Sequence, residues 1–126
     1  MFDRHDAFTE RVIGLAIEVH RHLGPGLLEC AYEQCLCHEL ELADLAFERQ
    51  VALPLIYKGV RLDAGYRMDI VVACRLVIEV KAVERILPIH EARMLTYLKL
   101  SGMSLGLVMN FNSGILKQGL RRLVLE

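Results

Sequence analysis

Between Phe8 and Leu23, apolar residues Val12, Ile13, Ala16, Ile17 and Leu23 recur at helical spacing, while Glu10, Arg11, Glu18 and Arg21 fall elsewhere on the wheel. That pattern predicts an amphipathic helix, stopped by Gly24-Pro25-Gly26. A second helix is expected from Leu27 to about Leu45, with Leu28, Ala31, Cys35 and Leu42 on one side, so that the two form a hairpin. After Phe47 the period shortens toward two. Val51, Leu53, Leu55 and Tyr57 alternate with their neighbours before a turn at Lys58-Gly59, and strand character continues to Cys74. Leu76 to Lys81 reads as the next strand. Pro88 opens a helix carrying Met94, Leu95 and Leu98, which Gly102 ends. An apolar strand over Leu105–Asn110 closes at Asn112-Ser113-Gly114. The last segment, Ile115 to Leu125, is compatible with strand or short helix, strand being preferred.

The predicted order is α-α-β-β-β-α-β-β, with no internal repeat or linker. An antiparallel meander followed by a strand-helix-strand crossover gives an α/β architecture, a mixed β-sheet flanked by helices. At 126 residues the chain fits a single domain spanning residues 1–126.

Composition refines this picture in three ways. Hydrophobic residues make up 54% of the chain and mean hydropathy is +0.34, a surplus expected to cover a homo-oligomer interface. The net charge of −1 provides no global basic field, so any nucleic-acid site must be local. The four cysteines, Cys30, Cys35, Cys37 and Cys74, lie in apolar or helical stretches, and Met1-Phe2-Asp3-Arg4-His5-Asp6 has no signal-peptide core. A reducing cytoplasm is therefore expected. No stretch approaches the roughly 18 apolar residues of a membrane span.

The chemistry is concentrated where charge interrupts strand. Arg67-Met68-Asp69-Ile70-Val71-Val72 and Leu76-Val77-Ile78-Glu79-Val80-Lys81 place two acids and a lysine among residues that otherwise read as buried. Buried charges require pairing, hydrogen bonds or metal. A hairpin centred on Cys74 pairs residues whose numbers sum to 148, which sets Asp69 opposite Glu79. Opposed positions have Cβ atoms roughly 4.5–5.5 Å apart, so the two like charges repel unless a cation lies between them. Lys81, two residues beyond Glu79, shares its face. The simpler alternative is a buried ion pair between Lys81 and one carboxylate. One lysine does not neutralise two acids, although Arg67 offers a second charge.

Two further groups merit notice. With Gly26 as N-cap, Glu29 falls at N3, as in a capping box, and could also lean over the sheet as a third acid. His90, Arg93 and Tyr97 share one helical side and could face a phosphate, whereas a solvated face is the commoner role of His90 and Arg93 taken singly. His20, on the apolar side of its helix, reads as a core histidine. Cys35-x-Cys37 lacks a second pair and does not make a zinc site.

The run from Ala16 through Gly26-Leu27-Leu28-Glu29-Cys30-Ala31-Tyr32-Glu33 resembles the bacterial GxxExxY protein family. So do Glu48-Arg49-Gln50, Tyr57-Lys58-Gly59, Gly65-Tyr66-Arg67-Met68-Asp69, Ile78-Glu79-Val80-Lys81-Ala82-Val83-Glu84, His90-Glu91-Ala92 and Asn110-Phe111-Asn112. That family is similar to the PD-(D/E)XK nuclease superfamily, which implies a restriction-endonuclease-like fold. By the resemblance, Asp69 matches the metal-binding aspartate, Glu79 and Lys81 the E-x-K pair, and Glu29 the acid of the preceding helix. Asp69, Glu79 and the Val80 carbonyl would hold Mg²⁺ (or Mn²⁺), with Glu29 ligating directly or through water. Lys81 would orient the water that attacks DNA or RNA. One departure stands out: Arg93 occupies the place where related nucleases carry glutamine four residues before the tyrosine, here Tyr97. An alternative is therefore a catalytically weak or silent module of the same fold that binds nucleic acid or protein and self-assembles.

Overall fold

Asp6 starts the first helix, α1 (Ala7–Leu23), by accepting hydrogen bonds from Thr9 N at 2.7 Å and Thr9 Oγ1 at 2.9 Å. The computed structural model describes residues 6–126, so the first five residues, on which the signal-peptide reading rests, lie outside it. Helix α1 buries Val12, Ala16, Val19 and His20 and ends at Gly24, whose φ of 67° suits glycine. The core role expected of His20 is realised, with its Nε2 2.8 Å from Ser113 O.

The second helix, α2 (Glu29–Leu42), starts later than Gly26, with Leu28 as N-cap. Its buried side is Tyr32, Glu33, Leu36, Cys37 and Leu40, whereas Leu28 and Leu42, both expected on that side, are exposed. Apolar residues lie all around this helix, so tertiary contact chose the face. Tyr32 decides it. Its ring stacks on Phe111 with centroids 4.6 Å apart, and its hydroxyl donates to Gly24 O and accepts from Leu27 N, closing the turn between the helices.

Five strands form the main sheet: β1 (Phe47–Ala52), then β4 (Arg67–Val72), β5 (Leu76–Lys81), β6 (Leu105–Asn110) and β7 (Leu120–Val124). All neighbours are antiparallel except β5 and β6, which run parallel and are joined through α3 (Pro88–Ser101). A separate two-stranded ribbon, β2 (Leu55–Tyr57) with β3 (Val60–Leu62), turns at Lys58-Gly59. The continuous alternation expected from Val51 to Tyr57 is thus broken after Leu53, where Pro54 has no N–H for a ladder. Part of the apolar surplus lies here, since Ile56, Tyr57, Val60 and Leu62 are exposed. The C-terminal segment begins as a 3₁₀ turn (Leu116–Gly119) before it becomes β7.

Two apolar layers sandwich the sheet. On one face, α1 and α2 cover Ile70, Val72, Leu76, Ile78, Val80, Leu105, Leu107 and Met109. On the other, Met94, Tyr97 and Leu98 of α3 pack on Met68, Val71, Val77 and Val108. Gly106 lets Met94 approach the sheet, because a Cβ there would collide with the Met94 side chain. No helix among the described residues is long and apolar enough to cross a membrane.

Candidate active site

The β4–β5 hairpin turns through Ala73 and Cys74, both at positive φ, with Arg75 N donating to Val72 O at 3.0 Å. Ile70–Ile78, Val71–Val77 and Val72–Leu76 are partners, and each pair of numbers sums to 148, the register predicted from sequence. That register brings Asp69 to Glu79. At this point backbone pairing gives way to side chains: Asp69 N donates to Glu79 Oε1 at 3.2 Å, and Val80 N donates to Asp69 Oδ2 at 2.8 Å.

The ladder is interrupted on the other side of Asp69 as well. Pairing of β1 with β4 runs from Phe47–Val72 to Arg49–Ile70, skips Gln50 and Asp69, and resumes at Val51–Met68. Gln50 has φ of 51°, a left-handed conformation that few residues with a Cβ adopt. Inside–outside alternation changes here too. Met68 joins the α3 layer with Val71, whereas regular alternation would place it with Ile70 and Val72 on the opposite face.

The acids are poorly solvated and mutually repelling. Glu79 is only 5% exposed, and burial followed by the negative charge of Asp69 pushes its carboxyl up to about 8, against the opposing pull of the Asp69 amide, Lys81 and Arg93. Burial also raises Asp69, although its hydrogen bond from Val80 N works the other way. Lys81 is half-buried and near enough to act on both acids, yet it forms no ion pair within 4 Å among the described residues. The simple Lys81–carboxylate pair considered from sequence is therefore not formed. The charge deficit remains.

Helix α3 lines the same region. Tyr97 is buried and packs edge-on against Tyr66 with centroids 6.1 Å apart, and its hydroxyl is pushed up to about 12 by burial and then by Glu79. Arg93 is exposed and close enough to Glu79 to favour its charged form. His90 has a structural task as well as a position near the site: its Nδ1 accepts from Leu87 N at 2.9 Å and caps the helix. Burial, Lys81 and Arg93 depress its pKa. Glu29 stands at N1 of α2 instead of the expected N3, and Glu29 Oε2 accepts from Ala82 N at 3.0 Å, just beyond β5. It thus neighbours the site without joining the opposed acid pair in a cluster.

Sequence reasoning missed Glu33, Arg49, Gln50 and Asn110 as participants. Glu33, one turn after Glu29, is buried and accepts from Arg49 Nε at 2.7 Å and from Gln50 Nε2 at 2.8 Å. The spacing of Glu29 and Glu33 and the polar run Glu48-Arg49-Gln50 within a strand were available signals. Asn110 is buried as well. It accepts from Val83 N at 3.0 Å and donates to Val83 O at 2.9 Å, which fixes the chain leaving β5.

Among the described residues no three His, Cys, Asp or Glu side chains gather into a metal cage. The opposed pair nevertheless fits Mg²⁺, which is commonly held by one or two carboxylates with water and substrate phosphate completing its shell. A cavity of about 280 Å³, lined by Val19, Leu23, Cys35, His38 and neighbours between α1 and α2, does not include Asp69 or Glu79.

A mixed sheet with flanking helices and an Asp–Glu-x-Lys constellation at its open hairpin defines a restriction-endonuclease-like α/β fold. Residues 6–123 match the PD-(D/E)XK nuclease superfamily, and the chain belongs to that superfamily. Nucleases of this class generally use divalent metal ions. No curated protein and no solved structure matches the chain.

Proposed function

We propose that the protein is a metal-dependent nuclease that hydrolyses phosphodiester bonds of DNA or RNA at Asp69, Glu79 and Lys81. One observation carries the proposal: two opposed, poorly solvated carboxylates replace backbone pairing and have no ion-pair partner among the described residues. Asp69, Glu79 and the Val80 carbonyl are the groups to hold Mg²⁺ or Mn²⁺, which when bound neutralises the acids and polarises the phosphate. Asp69 Oδ2 stays anchored on Val80 N, which leaves Oδ1 directed away from that amide. Lys81, on the face shared with Glu79, orients the attacking water and stabilises negative charge developing on phosphate. Arg93 is the exposed cation able to grip a neighbouring phosphate. Tyr97 stays protonated at any working pH, so its hydroxyl serves as a donor. Glu29 secures the chain just beyond β5 beside Lys81 and would support a bound cation through water.

A second reading, a nuclease-like module that binds without cutting, is favoured by Arg93 at the expected glutamine position, because arginine donates but does not accept hydrogen bonds. Incubation with single-stranded, duplex and branched substrates plus Mg²⁺ or Mn²⁺, alongside Lys81→Ala and Asp69→Asn, separates the two. The nuclease reading expects cleavage by the wild type and a loss of about 100-fold or more in both variants. No cleavage of any substrate, or cleavage undiminished in both variants, overturns it.

A further inference from the structure

Gln50 touches the metal-binding acid from outside the hairpin. Its Nε2 lies 2.8 Å from Glu33 Oε1 and 3.4 Å from Asp69 Oδ1. Between two carboxylates only the NH₂ end of an amide is tolerated, since it offers two hydrogens where the carbonyl end offers only repulsion. The orientation of Gln50 is therefore determined. Glu33 is in turn fixed, because its other oxygen accepts from Arg49 Nε at 2.7 Å and its side chain is almost fully buried.

The backbone supports the same arrangement at a local energetic penalty. A residue with a Cβ at φ of 51° is strained, and the β1–β4 ladder gives up the Gln50–Asp69 pairing at the same place. Strain of this kind persists where surrounding structure over-determines it, often at functional sites. A regular strand at Gln50 would pair with Asp69 through backbone instead of delivering an amide to its carboxylate.

From this we infer that Gln50 is a positioning residue for Asp69, resting on the metal-binding reading proposed above. Val80 N holds Asp69 Oδ2, Gln50 steadies Oδ1, and the plane of the carboxylate is set before a cation arrives. Glu33 and Arg49 act only by holding Gln50. Partners of this kind orient metal ligands and typically change affinity by about 10- to 100-fold when removed.

Gln50→Gly distinguishes positioning from a purely structural role, because glycine suits the left-handed backbone while it deletes the amide. Mn²⁺ binding to the full chain, read by titration calorimetry and by the electron paramagnetic resonance of free ion, is compared for wild type, Gln50→Gly, Gln50→Ala and Asp69→Asn, with thermal midpoints taken without metal. The expected result is an affinity lowered about 10-fold or more in both Gln50 variants, with the Gln50→Gly midpoint at or above that of Gln50→Ala, since both lose the amide and only glycine suits the left-handed backbone. Wild-type affinity in both variants, or a fall that only tracks the unfolded fraction, overturns the inference alone. Absence of Mn²⁺ binding by the wild type overturns the metal-site reading and this inference with it.

Discussion

Asp69 and Glu79 face each other across the β4–β5 hairpin, and each spends a carboxylate oxygen on a backbone amide of that hairpin, Glu79 on Asp69 N and Asp69 on Val80 N. Backbone amides that a regular ladder would pair with carbonyls of the neighbouring strand are satisfied by acids instead. The hairpin can therefore open at this point without stranding buried amides. The same opening leaves two carboxylates in a place that water reaches poorly.

That burial makes the metal-free protein sensitive to alkali. Glu79 titrates near 4.5 in the unfolded chain and near 8 in the folded one, so between those values the folded state holds a proton that the unfolded state has released. Its contribution to stability is fully present below pH 4.5 and is lost as pH rises through about 8. Asp69, also raised, adds a loss of the same sign. Urea midpoints in chelator should fall by the equivalent of a few kcal/mol, since each tenfold difference in proton affinity between the two states is worth about 1.4 kcal/mol, and Glu79→Gln should remove most of the slope. Mg²⁺ should restore stability increasingly at higher pH.

Arg93 lies exposed on α3, close enough to Glu79 to favour its charged form. Arg93→Ala should raise KM for a nucleic-acid substrate about 10-fold, the equivalent of one charge-assisted contact, and weaken the dependence of KM on salt. Arg93→Gln tests what glutamine does at this position: if arginine is a phosphate grip alone, KM rises as in the alanine variant while kcat is unchanged. Steady-state kinetics over a range of salt concentrations checks both.

Tyr32 holds the turn between the helices and stacks on Phe111. Tyr32→Phe keeps the ring and removes the hydroxyl that serves Gly24 O and Leu27 N. A loss of about 1–2 kcal/mol in unfolding free energy is expected, with Mn²⁺ affinity unchanged because the hydroxyl touches neither acid.

The cysteines should differ in reactivity. Cys37 is buried, and burial pushes its thiol up to about 11, so hardly any thiolate forms at neutral pH. Cys30 and Cys74 are exposed. Titration with a chromogenic disulfide at pH 7.5 should modify Cys30 and Cys74 quickly and Cys37 only on unfolding, with peptide mapping to assign the sites.

Much of this site is legible in the order of residues alone. Hairpin arithmetic sets Asp69 opposite Glu79, and strand period sets Lys81 beside it, because both depend only on spacing. The face of α2 is not legible, since apolar residues surround that helix and only contact with Phe111 singles out Tyr32. Local capping logic puts Glu29 at N3, but the helix starts at Glu29 itself, leaving its carboxylate to Ala82 N.

The sequence by itself determined the order of the helices and main-sheet strands, though not the β2–β3 ribbon, together with the register of the β4–β5 hairpin and the presence of two acids and a lysine on its strands, because periodicity and charge are local properties of the chain. Tertiary structure alone decided how those acids are satisfied. The left-handed turn of Gln50 and the burial of Glu33 come with the packing of α2 and β1 against the hairpin. Those contacts join residues far apart in the chain, and no local pattern encodes a distance between them.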